Sequence, residues 1–181
     1  MKKCFALAAL VVMIVGQLSA QSTSLEITDW NAWETNIEAE TQGRKTLVYV
    51  YTNWCSLCKK MEIEAFADSV IQTLITDRFT LVGLDAESKE PLSFKGESYE
   101  YVRKGKLGYH ELAAHLLDGR LAFPSVIFLT EEGEVIQTIH AYQGQQHFEM
   151  LLRYYGEDYY RSMPWTSFQR QFNAGQITDD K

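Results

Sequence analysis

The sequence predicts an α/β fold in which helices flank both faces of a central mixed sheet, and a terminal β-hairpin plus a helix close the chain. Segments of helical spacing alternate with strand-like segments in the order α, β, α, β, α, β, β, α, which is typical of parallel strands. Residues 46–52, TLVYVYT, are apolar on both faces, as expected for a covered central strand. The last two strands are separated by the turn EEGE at 131–134, so they form an antiparallel pair.

The first helix is predicted between a short strand at 25–27 and Gly43, which can end the helix. Thr28 or Asp29 can cap its first turn. Its apolar face follows the spacing i, i+3, i+7 and consists of Trp30, Trp33 and Ile37.

Two helical stretches are predicted between residue 55 and the next strand, FTLVGL at 79–84. The buried stripe of the first stretch consists of Met61, Ala65 and Phe66. Asp68 can cap the second stretch. The apolar side of that second stretch consists of Val70, Ile71, Leu74 and Ile75.

Residues 86–106 are polar and charged, and we predict that they form an insertion with a small hairpin around 95–97. A solvated loop is favoured over a binding loop for this insertion. The elements predicted beyond it are a helix at 109–117 closed by Gly119, strands at 125–130 and 134–140, and a helix at 145–155. An aromatic helical extension at 157–173 is expected to pack back on the domain rather than recruit a partner.

The first twenty residues are predicted to be a signal peptide, which leaves 21–181 as a single folded domain. Lys2 and Lys3 give a basic start, and the apolar run at 4–16 is short for a bilayer span. Ala20 supplies a small residue at the cleavage point. An uncleaved membrane anchor is the alternative. Export would place the protein in the periplasm, where disulfides form.

Charge and cysteine content narrow the class of function. The formal net charge of −7 disfavours nucleic acid and anionic lipid as partners. Of three cysteines, Cys4 lies in the signal peptide, so the mature chain keeps Cys55 and Cys58. A structural zinc site needs about four ligands, and the four histidines show no paired spacing with these cysteines. A redox pair is therefore favoured over a metal site.

The motif WCSLC at 54–58 follows the predicted central strand and opens a helix. Free N–H groups and the dipole at a helix N-terminus favour a negative charge, which lowers the pKa of a cysteine such as Cys55. Cys58 lies one turn deeper and is close enough to attack a mixed disulfide on Cys55. A purely structural disulfide is less favoured, because so short a loop restricts the unfolded chain little.

WCSLCKKM after an apolar strand, with FPS before the last hairpin, resembles the thioredoxin superfamily over about residues 25–156. The segment from 46 to 87 is similar to exported thioredoxin-related proteins and to the thioredoxin-like C-terminal domain of the Dsb-pathway transmembrane reductase. The segments GYHELAAHLLDGRLAFPSVIFL and EDYYRSMPWTSFQRQF resemble thioredoxin-family proteins common in Bacteroidetes.

This resemblance implies a thioredoxin fold and a role for each motif residue. Cys55 is expected to be the attacking thiol and Cys58 the resolving thiol. Trp54 is expected to shield the motif and to help form the docking surface. Pro124 is expected to be cis, to face the cysteines and to place backbone beside the substrate chain; an ordinary trans proline at the start of a strand is the alternative. Phe123 either narrows the substrate groove or fills core.

Two features of the motif depart from many thioredoxins. Tyr49 stands six residues before the first cysteine, where these proteins carry a buried aspartate. Glu62, four residues after Cys58, matches an acidic residue of the Dsb-type domain and is either the substitute proton acceptor or a solvated glutamate. Ser56 and Leu57 between the cysteines are uncharged, which favours a reducing pair.

The sequence therefore predicts a periplasmic thiol–disulfide oxidoreductase that reduces exported proteins. Its electrons are expected to come from a membrane thiol reductase, and we expect a monomer without metal or bound cofactor. An oxidase or isomerase of the same fold is the nearest alternative. A second alternative is a binding module without catalysis, for example a copper chaperone, since thiolates are suitable ligands for Cu(I). A third is a docking protein that uses the same fold only as a scaffold.

Overall fold

The structure, a computed structural model, describes residues 25–35, 43–105 and 107–177. The strands are β1 Thr28–Asp29, β2 Lys45–Tyr51, β3 Phe79–Asp85, β4 Leu92–Phe94, β5 Glu97–Tyr99, β6 Tyr101–Lys104, β7 Leu107–His110, β8 Ser125–Leu129 and β9 Val135–His140. The α-helices are α1 Trp30–Thr35, α2 Ser56–Met61, α3 Ser69–Arg78, α4 Glu111–Leu116, α5 Gln145–Gly156, α6 Tyr159–Ser162 and α7 Trp165–Asn173. A π-helical turn, Glu62–Phe66, joins α2 to the chain before α3.

The central sheet has five strands in the order β1-β3-β2-β8-β9. Strand β2 runs parallel to β3 and antiparallel to β8, so the predicted mixed sheet with a terminal hairpin is confirmed. The first strand was placed wrongly at 25–27, because the residues that pair with β3 are Thr28 and Asp29. Pairing with a neighbouring strand, which no local pattern reveals, sets that boundary.

Strand β2 separates two apolar layers. Leu47 and Tyr49 join the layer formed with α2, α3 and α5, whereas Val48 and Val50 join the layer with α1 and α4. Alternate side chains of a strand point to opposite faces, so both sets are buried at once. The prediction of a central strand covered on both sides is confirmed.

The N-terminal helix is capped as the sequence indicates. Asp29 Oδ1 accepts hydrogen bonds from the N–H groups of Asn31 and Ala32 at 2.9 and 3.3 Å, so Asp29 rather than Thr28 is the cap. Trp30 and Trp33 are buried, and Trp33 Nε1 donates to Thr46 Oγ1 at 3.1 Å. Ile37 lies outside the described residues, and Gly43, predicted to end this helix, is described with a φ of 74°.

The helical region after the cysteines follows the predicted pattern with one exception. Met61, Ala65 and Phe66 are buried, and Asp68 Oδ1 accepts from the first N–H groups of α3. Val70, assigned to the apolar side, is 42% exposed. The stripe that meets the core runs through Ile71, Leu74 and Ile75, and Val70 lies in the first turn beside it.

The insertion at 86–106 does not behave as a solvated loop. The hairpin predicted around 95–97 exists as β4 and β5, and a second hairpin follows as β6 and β7. Leu92 and Phe94 are buried against the N-terminal helix, and Trp30 Nε1 donates to the Ser93 carbonyl at 2.8 Å. A strand of three residues shows too little alternation of apolar and polar side chains to be recognised within a polar segment. The interpretation of this segment as a solvated loop was therefore wrong.

The helix predicted at 109–117 begins only at Glu111. Tyr109 and His110 belong to β7, and the His110 N–H donates to the Ala86 carbonyl at 2.7 Å. The His110 ring then caps the helix, since Nδ1 accepts from the Leu112 N–H at 3.2 Å. Gly119 closes the helix as predicted, with a φ of 73° and an N–H bonded to the Ala114 carbonyl at 2.7 Å.

The C-terminal extension packs on the domain, as predicted. Phe168 is fully buried, and its ring centroid lies 5.0 Å from that of Tyr154 on α5. Tyr154 also donates its hydroxyl to the Met163 carbonyl at 2.8 Å. The extension is tied to β2 by Lys45, whose buried ammonium lies 3.0 Å from Asp158 Oδ2.

Within the three described ranges, no helix combines the length and apolar character needed to cross a bilayer. Residues 1–20 lie outside these ranges, so the signal peptide stays a prediction.

We predict that Phe94→Ala destabilises the protein by about 3 kcal/mol, because truncating a buried phenylalanine removes apolar contacts and leaves a cavity. Phe94 is 5% exposed, and its ring stacks on that of Trp33 with the two ring centroids 6.3 Å apart. Urea denaturation measures the free energy of unfolding. Ser98→Ala, at an exposed position of the same hairpin, is the control and is expected to be neutral. Equal stability of the two variants would show that the hairpin lies outside the core.

We predict that Asp158→Asn lowers stability by about 1–2 kcal/mol at neutral pH, because the buried Lys45 ammonium loses its charged partner. Burial alone would raise the pKa of Asp158, but hydrogen bonds from Lys45 and Arg161 outweigh it and hold the pKa below its ordinary value of 3.8. The ion pair therefore stabilises the fold fully when the pH is above the ordinary pKa of Asp158. This stabilisation disappears as the pH falls through the lowered pKa that Asp158 has in the folded protein.

Urea titrations between pH 3 and 7 measure this difference. Asp118→Asn is the matched control, since Asp118 is exposed and has the same left-handed backbone, with φ 51° against 62°. A stability gap that persists unchanged at the acid end would contradict the ion-pair explanation.

Candidate active site

The two cysteines lie where the chain leaves the central strand and enters a helix. Strand β2 ends at Tyr51, and the Cys55 N–H donates to the Thr52 carbonyl at 3.2 Å, which closes a tight turn. Cys55 is the N-cap of α2, with φ −73° and ψ 104°. The buried strand thus delivers the first cysteine directly to a helix N-terminus.

Cys55 and Cys58 are joined by a disulfide, with their Cα atoms 5.2 Å apart. Both residues are buried, at 4% and 1% exposure. The Cys58 N–H donates to Cys55 Sγ at 3.0 Å. An N–H donor and the helix dipole both favour a thiolate at this sulfur once the disulfide is reduced.

The loop before β8 supplies the other side of the site. The Phe123–Pro124 peptide bond is cis, as expected from the family resemblance. Val50 pairs with Ser125 in the sheet, so Pro124 lies beside the end of β2 from which the cysteine loop departs.

Two aromatic residues connect the cysteine loop and the proline loop. The ring centroids of Trp54 and Phe123 are 6.4 Å apart in an edge arrangement. Trp54 is 68% exposed, whereas Phe123 is half-buried and packs against both core layers. The structure therefore places Phe123, which precedes the cis proline, against Trp54, which precedes Cys55.

Glu62 lies one helical turn beyond the second cysteine. Its N–H bonds to the Cys58 carbonyl, and its side chain is exposed. Its Oε1 accepts a hydrogen bond from the Tyr49 hydroxyl at 3.1 Å. Burial raises the pKa of Tyr49, and the charge of Glu62 and this hydrogen bond raise it further. Tyr49 therefore remains a neutral donor that holds the carboxylate.

A cleft of about 500 Å³ lies beside the second cysteine. Its lining includes Cys58, Glu62, Tyr49, Tyr51 and Lys59. The position that holds an aspartate in many thioredoxins is thus occupied by a tyrosine that directs a glutamate toward the same region. Sequence reasoning missed this pairing; the one available signal was a tyrosine within an apolar strand, since a buried hydroxyl needs a partner.

The histidines are not assembled into a metal site with the cysteines. Across the described ranges, no group of three or more histidine, cysteine, aspartate or glutamate side chains is arranged to hold a metal ion. His110 is buried and used as a helix cap, and the His115 ring packs 5.2 Å from that of Tyr99.

The sequence matches the family model of the thioredoxin-like domain over residues 34–156, which is more than half of the chain. The protein belongs to the thioredoxin-like family. The Cys55–Cys58 pair on this fold makes the thioredoxin-like protein a thiol–disulfide oxidoreductase. No curated protein sequence matches the chain.

Solved structures agree on the fold of this thioredoxin-like protein. A thioredoxin-fold protein from Helicobacter pylori aligns with a TM-score of 0.55 at 13% identity, covering 80% of this chain and 94% of its own. An oxidoreductase named DsbH aligns with a TM-score of 0.50 at 15% identity, covering 74% of this chain and 85% of its own. The C-terminal domain of DsbD from Neisseria meningitidis, in its reduced form, aligns with a TM-score of 0.45 at 16% identity, covering 71% of this chain and 99% of its own.

Proposed function

We propose that this thioredoxin-like protein reduces disulfide bonds of exported proteins in the periplasm, with Cys55 as the attacking thiol and Cys58 as the resolving thiol. The observation that carries the proposal is the hydrogen bond from the Cys58 N–H to Cys55 Sγ at the start of a helix. This geometry stabilises a thiolate on Cys55, and the thiolate is the nucleophile of disulfide exchange.

The reaction starts from the dithiol form of the protein. The Cys55 thiolate attacks one sulfur of the client disulfide, so that a Cys55–client S–S bond forms and the client S–S bond breaks. The released client sulfur leaves as a thiolate and takes a proton from solvent. We assign Trp54, Phe123 and the backbone at Pro124, a buried residue, to the surface on which the client chain docks.

The second step resolves the mixed disulfide. The Cys58 thiol gives its proton to Glu62 and attacks Cys55 Sγ, which forms the Cys55–Cys58 disulfide and releases the second client thiolate. Two electrons have then passed from the protein dithiol to the client disulfide. The Tyr49 hydroxyl keeps the Glu62 carboxylate in place, which supports the assignment of Glu62 as the proton acceptor.

The residues between the cysteines support the reductive direction. Ser56 and Leu57 carry no charge, so within this dipeptide the thiolate gains no stabilisation from a cation such as histidine. A less stabilised reduced form corresponds to a lower reduction potential. The basic start and apolar run of the first twenty residues support export, and a membrane dithiol reductase is the class of donor that would regenerate the protein.

We predict a reduction potential near that of thioredoxin, about −270 mV, for the Cys55–Cys58 pair. Equilibration in dithiothreitol buffers followed by thiol trapping measures it. Leu57→His is a matched variant and is expected to be more oxidising, because a histidine in the dipeptide stabilises the Cys55 thiolate. A wild-type value near about −120 mV would instead indicate a disulfide donor. Absence of a reversible disulfide would favour a binding module.

We predict that Glu62→Gln slows resolution of the mixed disulfide by about tenfold to a hundredfold at pH 7, because it removes the general base. Tyr49→Phe is expected to cause a smaller loss of about threefold to tenfold, since the carboxylate remains but loses its donor. Both losses should shrink above about pH 9, where a thiol ionises unaided.

Stopped-flow tryptophan fluorescence in single turnovers, recorded from pH 6 to 10, measures these rates. Glu64→Gln is the control, because Glu64 is exposed on the same turn and its carboxylate accepts from Tyr142 instead. If Glu62→Gln and Glu64→Gln behave alike, Glu62 is a solvated glutamate with no part in proton transfer.

A further inference from the structure

An apolar groove of about 320 Å³ adjoins the active site, and neither Glu62 nor Cys58 lines it. It shares Trp54 and Phe123 with the site. The opposite wall comes from β7 and the loop before the cis proline, through Leu107, Tyr109 and Leu121. The hairpin of β6 and β7, which begins in the insertion and extends beyond it, thus enlarges the surface around the disulfide.

Two large apolar side chains of this groove are highly exposed. Leu107 is 75% exposed and Trp54 68% exposed, although both are large apolar side chains. Apolar side chains gathered at one groove on a soluble protein mark a ligand or protein contact rather than packing. Here the groove adjoins a disulfide that must react with other proteins.

The hairpin wall is fixed relative to the cysteine loop. The Ala86 N–H donates to the Tyr51 carbonyl at 2.8 Å, and the Ala86 carbonyl accepts from the His110 N–H at 2.7 Å. The end of β2 therefore holds the base of the hairpin. Within the hairpin, a Cβ at Gly108 would lie 2.8 Å from the Val102 carbonyl oxygen, closer than a side-chain carbon normally approaches backbone. The wall of the groove at Gly108 is thus closely packed on β6.

We propose that this groove binds a large apolar side chain of the client polypeptide, next to the cysteine that reacts with Cys55. The proposal rests on the function proposed above. In the mixed disulfide the client is covalently attached to Cys55, and Trp54, which lines the groove, is the adjacent residue at a Cα spacing of about 3.8 Å. Client residues beside the reacting cysteine therefore pass the groove.

The charges at the groove do not select a charged client. Lys104 and Glu87 both belong to its lining and are of opposite sign, and the other lining residues are aromatic, aliphatic or glycine. Contact with an apolar side chain is consequently the interaction that distinguishes one client from another. The substrate class is an unfolded or extended segment with phenylalanine, leucine or methionine near its disulfide cysteine.

The test uses the prereduced full-length protein in single turnovers with three disulfides. Two are disulfide-bonded peptides that differ only in phenylalanine or serine beside the cysteine, and the third is 2-hydroxyethyl disulfide, which is too small to reach the groove. We expect the second-order rate constant to be about tenfold higher for the phenylalanine peptide, equivalent to about 1.4 kcal/mol. Leu107→Ser should remove most of this preference and leave the other two rate constants unchanged.

Two further variants separate docking from folding. Val135→Ser is the matched control, since Val135 is 49% exposed on β9 and does not line the groove, and it should leave all three rate constants unchanged. Leu107→Met should retain the preference, because it keeps an apolar side chain of similar size. Leu107 is exposed, so its replacement is not expected to alter the far-UV circular dichroism.

Each remaining outcome counts against a specific part of the argument. If the wild type reduces all three disulfides but does not distinguish the peptides, the groove inference is overturned and the proposed function stands. If Leu107→Ser slows the small disulfide as much as the phenylalanine peptide, the groove inference is overturned as well, because the effect is then on the cysteines. If the wild type reduces none of the three, both proposals fail.

Discussion

The architecture depends on the burial of both faces of one strand, Lys45–Tyr51. Residues 45–50 are all buried, and the strand pairs on both edges, in parallel on one side and antiparallel on the other. A shift of one residue would turn each apolar layer toward the wrong face, so the register is strongly fixed. The fixed register also fixes the position of Cys55, because Cys55 follows the end of the strand after a short turn.

The same strand also positions the groups around the disulfide. Tyr49 holds the Glu62 carboxylate through its hydroxyl, and the Tyr51 carbonyl binds Ala86, which in turn binds the base of the second hairpin. At the far end of the strand, Lys45 binds the C-terminal extension through Asp158. One strand thus connects the proposed nucleophile, the candidate proton acceptor and the groove wall.

The surroundings of the two cysteines differ in chemistry. The cleft that includes Cys58 is lined by Glu62 and two tyrosines, whereas the apolar groove is lined by Phe123 and by Trp54, the residue before Cys55. A proton acceptor is useful where the resolving thiol must ionise, and apolar contact is useful where a polypeptide must dock. Under the two proposals above, proton transfer and substrate recognition therefore use different cavities.

The sequence by itself determined the parts of this protein that depend on neighbours in the chain. The CxxC between strand and helix, the caps Asp29 and Asp68, and the two-sided burial of the central strand all follow from local spacing. The cis state of Pro124 was expected only through the family resemblance. Only the tertiary structure decided the contacts between distant elements.

Those contacts include the hydrogen bond between Tyr49 and Glu62, which come from different elements, and the packing of Phe94 on Trp30 and Trp33. They also include the groove wall at Leu107. Such contacts depend on how elements are placed in space, and no periodicity along the chain encodes that placement.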